Sequence, residues 1–138
     1  CIRDRCKGPA DMDDFRMKFD SLEEQQEDPD SIYNYVKQVI RVRNQNPVIA
    51  RGTTAYLEQY SGEQCFALTR SYEGSNLLLL GNTSAEAVSV DLTGLTVGGT
   101  TAEELVLLGE LYTGEETAER AGTVVTLPAY SILILGEE

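Results

Sequence analysis

The stretch Leu77-Leu78-Leu79-Leu80-Gly81-Asn82-Thr83-Ser84 decides the fold. Four consecutive leucines ending at turn residues read as a strand that is apolar on both faces, and such a strand belongs in the middle of a sheet. Ile132-Leu133-Ile134-Leu135 has the same character and is placed beside it. Five further runs read as strands, giving the set 53–60, 64–72, 76–82, 87–92, 104–112, 123–127 and 131–135. Between them lie Ser61-Gly62, Glu73-Gly74-Ser75, Asn82-Thr83-Ser84, Gly94, Gly98-Gly99, Thr113-Gly114 and Pro128. Short strands at this spacing, with no helix among them, predict an antiparallel sandwich or barrel. In 64–72, Phe66 and Leu68 face one way and Cys65 the other.

Upstream of the strands, 28–45 is the clearest helix. Asp28 is a capping residue, Pro29 suits the first helical position, and Asp30 sits where the helix dipole favours an anion. Ile32, Val36, Val39, Ile40 and Arg43 follow a three-to-four spacing, flanked by Tyr33 and Tyr35. Lys37, Arg41 and Arg43 gather toward the C-terminal end, and Asn44-Gln45-Asn46-Pro47 ends the helix. Ile32, Val36, Val39 and Ile40 are expected to clamp this helix to the sheet, so Ile40→Asp is expected to unfold the chain. Residues 1–27 read as an extended loop with alternating Phe15, Met17 and Phe19, and with Ser21 and Glu24 spaced as a capping box. The expected division is 1–27 loop, 28–51 helix and linker, and 52–138 β domain.

The 138 residues carry a net charge of −12, unevenly spread. Residues 1–30 hold ten acids and five bases, 31–51 hold four bases and no acid, and 52–138 hold thirteen acids and two bases. This balance argues against nucleic acid and anionic membrane surfaces as partners. No apolar run approaches the roughly 20 residues of a membrane-spanning helix. The chain is one domain in length, and a (β/α)₈ barrel alone takes about 250 residues. Histidine is absent, which removes the usual general base, the commonest metal ligand and every Ser-His or Cys-His nucleophile pair. Cys1, Cys6 and Cys65 contain no CxxC pair; Cys1 and Cys6 are spaced to form a disulfide, and free thiols are the expected state. The chain opens on Cys1-Ile2-Arg3-Asp4-Arg5 and is expected to be a segment of a longer polypeptide.

The pairs Glu23/Glu24, Glu103/Glu104 and Glu115/Glu116 read as surface charge. Asp11, Asp13 and Asp14 alternate like calcium ligands, but no loop glycine or downstream glutamate completes a site, and no metal or cofactor is expected. Among Tyr56, Tyr60, Tyr72 and Tyr112, a platform for stacking sugar rings is weighed, with Tyr56 and Tyr72 as its candidates. Lys37 and Arg41 are expected to pair with acids. Asn82-Thr83-Ser84 matches a glycosylation sequon, and a tight turn explains it equally well. Gly98-Gly99 reads as a turn.

Read together, Asp30-Ser31-Ile32-Tyr33-Asn34-Tyr35, Ile40-Arg41-Val42-Arg43-Asn44 and Pro47-Val48-Ile49-Ala50-Arg51-Gly52 resemble a known junction. It is the last barrel helix of the α-amylase family of glycoside hydrolases, leading into the family's C-terminal Greek-key β-sandwich. The leucine strand with its Asn-x-Ser turn, the strand Val88-Ser89-Val90-Asp91-Leu92, and the closing run from Leu127-Pro128-Ala129-Tyr130 to Leu135 are similar to later parts of that domain. Residues 8–30 resemble the loop before the last barrel helix. The resemblance implies a mainly β chain: a Greek-key sandwich of about seven or eight strands behind one helix and an extended loop. It also implies that the nucleophilic Asp, the acid/base Glu and the transition-state-stabilising Asp lie upstream on barrel strands, and none maps here. A non-catalytic structural domain is expected, with the catalytic barrel of the same polypeptide as partner and α-glucan as a further candidate. A carbohydrate-binding module and a stand-alone assembly domain are the alternatives.

Overall fold

The computed structural model describes residues 20–137. The Cys1/Cys6 pair, the Phe15-Met17-Phe19 alternation and the Asp11-Asp13-Asp14 cluster lie outside those residues. Three helices open the described chain: α1 (Leu22–Glu27), α2 (Ile32–Gln45) and α3 (Pro47–Arg51). Ten short strands follow: β1 (Thr53–Tyr56), β2 (Cys65–Tyr72), β3 (Ser75–Asn82), β4 (Val88–Asp91), β5 (Thr96–Val97), β6 (Thr100–Thr101), β7 (Val106–Leu111), β8 (Glu119–Ala121), β9 (Val124–Leu127) and β10 (Ile132–Gly136).

All strand pairings are antiparallel. The large sheet runs β1-β2-β3-β10-β7, the small one β4-β9-β8, and β5-β6 forms a hairpin. The two double-faced apolar runs are adjacent in the large sheet, with Leu133 opposite Leu80 and Leu135 opposite Leu78. Alternation then sorts them by parity. Leu78, Leu80, Leu133 and Leu135 face the sandwich interior with Val90, Leu92, Val125 and Leu127. Leu77, Leu79, Ile132 and Ile134 face the other way, under the helices. The large sheet is thus the middle of three layers, which is why its central strands have no polar side. Cys65 faces the sandwich interior, opposite to Phe66 and Leu68, and packs half-buried against that core.

Several boundaries differ from expectation for local reasons. β1 stops at Tyr56 because a 3₁₀ turn, Glu58–Tyr60, follows, held by Ser61 Oγ donating to Leu57 O at 2.8 Å. The segment Pro47–Arg51 is a helix rather than a linker. Pro47 opens it, and it is too short for periodicity to reveal. Gly52 ends it where a Cβ would meet Val48 O at 2.5 Å, so backbone and backbone meet at this corner.

The largest correction concerns which face of α2 meets the sheet. Tyr35, Val39 and Val42 pack there, with Val48 and Ile49 of α3. Gly109 of β7 admits the helix: a Cβ at that position would stand 3.0 Å from Val42 Cγ1. Ile32, Val36 and Ile40 point outward, 71%, 46% and 51% exposed. Of the four residues expected to clamp the helix, Val39 alone does so, and Ile40→Asp is no longer expected to unfold the chain. The apolar arc of α2 spans about half its circumference at 100° per residue. The sheet takes one flank of that arc and leaves its centre uncovered.

Candidate interaction surface

The outward stripe of α2 is held rigidly at its N-terminal end. Ser21 and Glu24 form the expected capping box, with Ser21 N–H donating to Glu24 Oε2 at 2.7 Å. These hydrogen bonds hold the Glu24 carboxyl below its ordinary range. α1 then ends against α2, where Asn34 Nδ2 reaches three carbonyls: Gln25 O at 3.0 Å, Gln26 O at 3.3 Å and Asp28 O at 2.7 Å. Ser31, not Asp28, caps α2, accepting from Asn34 N–H at 3.3 Å. Asp28 instead closes α1, its backbone N–H bonded to Glu24 O. The expected cap, Asp28, is thus displaced by three residues, and Pro29 and Asp30 lie in the turn before α2 rather than in its first turn, because the end of α1 occupies that stretch.

The far end is fixed from the sheet. Arg70 of β2 donates from Nε to Val48 O at 3.1 Å, from Nη2 to Gly52 O at 2.6 Å and from Nη1 to Thr54 Oγ1 at 2.6 Å. It thereby caps α3 and ties it to β1. Arg120 does similar work across the sandwich, with Nη1 donating to Leu105 O at 2.6 Å and Nη2 to Ala102 O. Both bases of the acidic segment are thus spent on backbone carbonyls.

Beside the stripe, Lys37 Nζ lies 5.9 Å from the centre of the Tyr33 ring. Arg41 and Arg43 are exposed. The assembled surface is an apolar stripe of three aliphatic side chains with cations beside it.

The structure separates the candidate tyrosines. Tyr56 pairs with Leu68, and Tyr72 lies four residues further along β2 on the same face. At about 3.3 Å per residue that is roughly 13 Å, with Arg70 and its contacts to α3 between them. Tyr56 is 57% exposed, while Tyr72 is half-buried. Tyr60 donates its hydroxyl to Thr93 O at 3.2 Å. Tyr112 instead borders a cleft with Tyr35, beneath the first turn of α2. Its O–H donates to Glu110 Oε2 at 2.7 Å, and its oxygen accepts Ala118 N–H at 3.0 Å. Sequence spacing gave no hint of the Tyr35–Tyr112 meeting, because it joins helix to sheet.

Burial pushes the Tyr112 hydroxyl up to about 12, reinforced by the hydrogen bond to Glu110 and by that carboxylate's charge. A tyrosine in an unfolded chain titrates near 10. The raised value therefore stabilises the fold fully below about pH 10, and this contribution disappears as pH climbs through 12. In alkaline unfolding experiments the chain should lose stability over that window, and Tyr112→Phe should flatten the loss. An identical slope in the variant would contradict the assignment.

Among the described residues, no group of three or more Cys, Asp or Glu side chains is placed to hold a metal ion. Glu104 completes a second capping box with Thr101, and Glu115, Glu116 and Glu119 line an open polar depression.

These features define a β-sandwich domain carrying a docked helix with one apolar face to spare. No family model and no curated protein matches the chain. Solved structures do. Eubacterium rectale Amy13B aligns over 96% of this chain at 35% identity with a TM-score of 0.80. An α-amylase from H. orenii aligns over 87% at 23% identity and 0.66, and the trehalulose synthase MutB from Pseudomonas mesoacidophila MX-45 over 84% at 22% and 0.64. The last two, below 25% identity, speak to the fold. The chain belongs with the α-amylase-family glycoside hydrolases, matching the helix-and-sandwich C-terminal region of such enzymes. It spans 25%, 23% and 19% of these three chains, respectively.

Proposed function

We propose that this chain is the non-catalytic C-terminal domain of an α-amylase-family enzyme, supporting the catalytic barrel of the same polypeptide through the outward face of α2. In this reading 28–51 joins the two parts, 52–138 is the supporting domain, and 1–27 belongs to the barrel side. The parent enzyme hydrolyses α-glucosidic bonds of starch or maltooligosaccharides. The observation that carries the reading is the stripe Ile32, Val36 and Ile40, uncovered on a helix whose other flank is docked and whose ends are pinned. Three large aliphatic side chains in register on a rigid helix mark a surface that another packed element covers. The relatives' greater length supplies a candidate for that element.

The test is association in two pieces. The chain is mixed with the separately produced catalytic part of its parent, and binding is read by calorimetry. Val36→Asp with Ile40→Asp should abolish binding while the variant keeps its thermal stability. Undiminished binding by the variant would remove α2 from the interface.

A further inference from the structure

The cleft bordered by Tyr35 and Tyr112 has a chemical character of its own. It encloses about 190 Å³ between the first turn of α2 and the end of β7, lined by Asp30, Ile32, Tyr35, Gln38, Tyr112 and Thr113 with Pro29 at its rim. Hydrogen-bond accounting sets what its walls can offer. Gln38 Nε2 donates to Glu110 O at 3.2 Å, which leaves the amide oxygen to accept. The Tyr112 hydroxyl is engaged as both donor and acceptor, so that residue offers its ring. The Thr113 hydroxyl donates to Ala129 O at 3.5 Å and keeps its lone pairs. Asp30 uses its backbone N–H on Asp28 Oδ1, and its carboxylate is exposed. Of the side-chain donors, the Tyr35 hydroxyl and the second N–H of Gln38 Nε2 remain.

Such a site offers more acceptors and ring faces than donors, with one carboxylate among the acceptors. A sugar needs both donors and acceptors, whereas a guanidinium has five N–H donors, no acceptor and a plane that stacks on aromatic rings. The positive end of α2 opposes a cation only weakly, because Tyr33 N–H and Asn34 N–H are taken by Gln25 Oε1 and Ser31 Oγ, each at 3.3 Å. Ile32 belongs both to the cleft and to the outward stripe, so whatever covers the stripe also covers the cleft mouth.

We propose that the cleft receives an arginine side chain from the domain that covers α2, its guanidinium on Asp30 and the Gln38 oxygen and its plane against Tyr35 and Tyr112. This rests on the docking reading above and names the chemistry by which the two parts find their register.

The test needs no second domain. The 138-residue chain is titrated with N-acetyl-L-arginine amide, and separately with maltose, while the ring signals of Tyr35 and Tyr112 are followed by nuclear magnetic resonance. The arginine amide should shift both rings saturably, with affinity about threefold or more weaker in Asp30→Asn, as loss of a charge-assisted fork requires. Maltose should leave them unmoved. Absence of a response to the arginine amide, a response to maltose alone, or an affinity indifferent to Asp30→Asn would each overturn the proposal. A response in a chain that fails to bind the catalytic part would keep the cation site but overturn its assignment to that domain.

Discussion

Replacing Asn82 with alanine should cost about 3 kcal/mol of stability and lower the melting temperature by about 10 °C. Asn82 is 4% exposed at the end of β3, yet its side chain is polar. Its Nδ2 faces Glu86 O at 2.7 Å, Pro128 O at 2.9 Å and Leu127 O at 3.2 Å. Its Oδ1 accepts from Ser84 N–H at 2.8 Å and from Ser84 Oγ at 2.9 Å. One amide therefore joins the end of the large sheet to the turn before β4 and to the turn between β9 and β10. Alanine would remove all five of these contacts at a buried site, although Glu86 O still accepts from Ser84 Oγ and Pro128 O from Ser131 Oγ. Aspartate would turn a carboxylate oxygen toward the carbonyls, so Asn82→Asp should cost more still. Thermal unfolding of both variants checks this, and a cost under about 1 kcal/mol for Asn82→Ala would contradict it. The sequon reading resolves the same way. An Nδ2 packed among three carbonyls leaves no room for a glycan in the folded chain.

Val42→Asp should destabilise the chain by about 3 kcal/mol or more, whereas Ile40→Asp should change it by less than about 0.5 kcal/mol. Val42 is buried against Gly109 and Ile134, where a carboxylate would have to be desolvated or the helix released. Ile40 is 51% exposed and belongs to neither core cluster, so aspartate there meets solvent. Denaturant unfolding of the two variants side by side reads which face of α2 is docked. Equal losses would contradict the two-faced helix, and a larger loss for Ile40→Asp would reverse it.

The sheet core was open to inspection in the sequence because alternation is strict. Leu77–Leu80 and Ile132–Leu135 allow no polar face, and three layers are the consequence. The helix was harder. A stripe of apolar residues reveals that a face is covered, not by what, and α2 has more apolar arc than one neighbour needs. The family likeness placed the helix at a junction between two parts, and its outward stripe fits that placement better than the clamp expected from spacing alone. Short pieces escaped for want of length: α3 has five residues, β5 and β6 two each and β8 three, below the span at which either periodicity speaks. The cleft escaped because Tyr35 and Tyr112 are far apart in sequence and meet only once α2 lies on β7. The roles of Arg70 and Asn82 depend on backbone carbonyls, which no side-chain pattern records.

The central claim is that this chain works as the supporting part of a larger α-glucoside-hydrolysing enzyme. The mass of the native product, detected in its source cells with an antibody raised against this chain, tests that most directly. The account predicts a polypeptide longer by at least the roughly 250 residues of a catalytic barrel. A product near 15.2 kDa would contradict it.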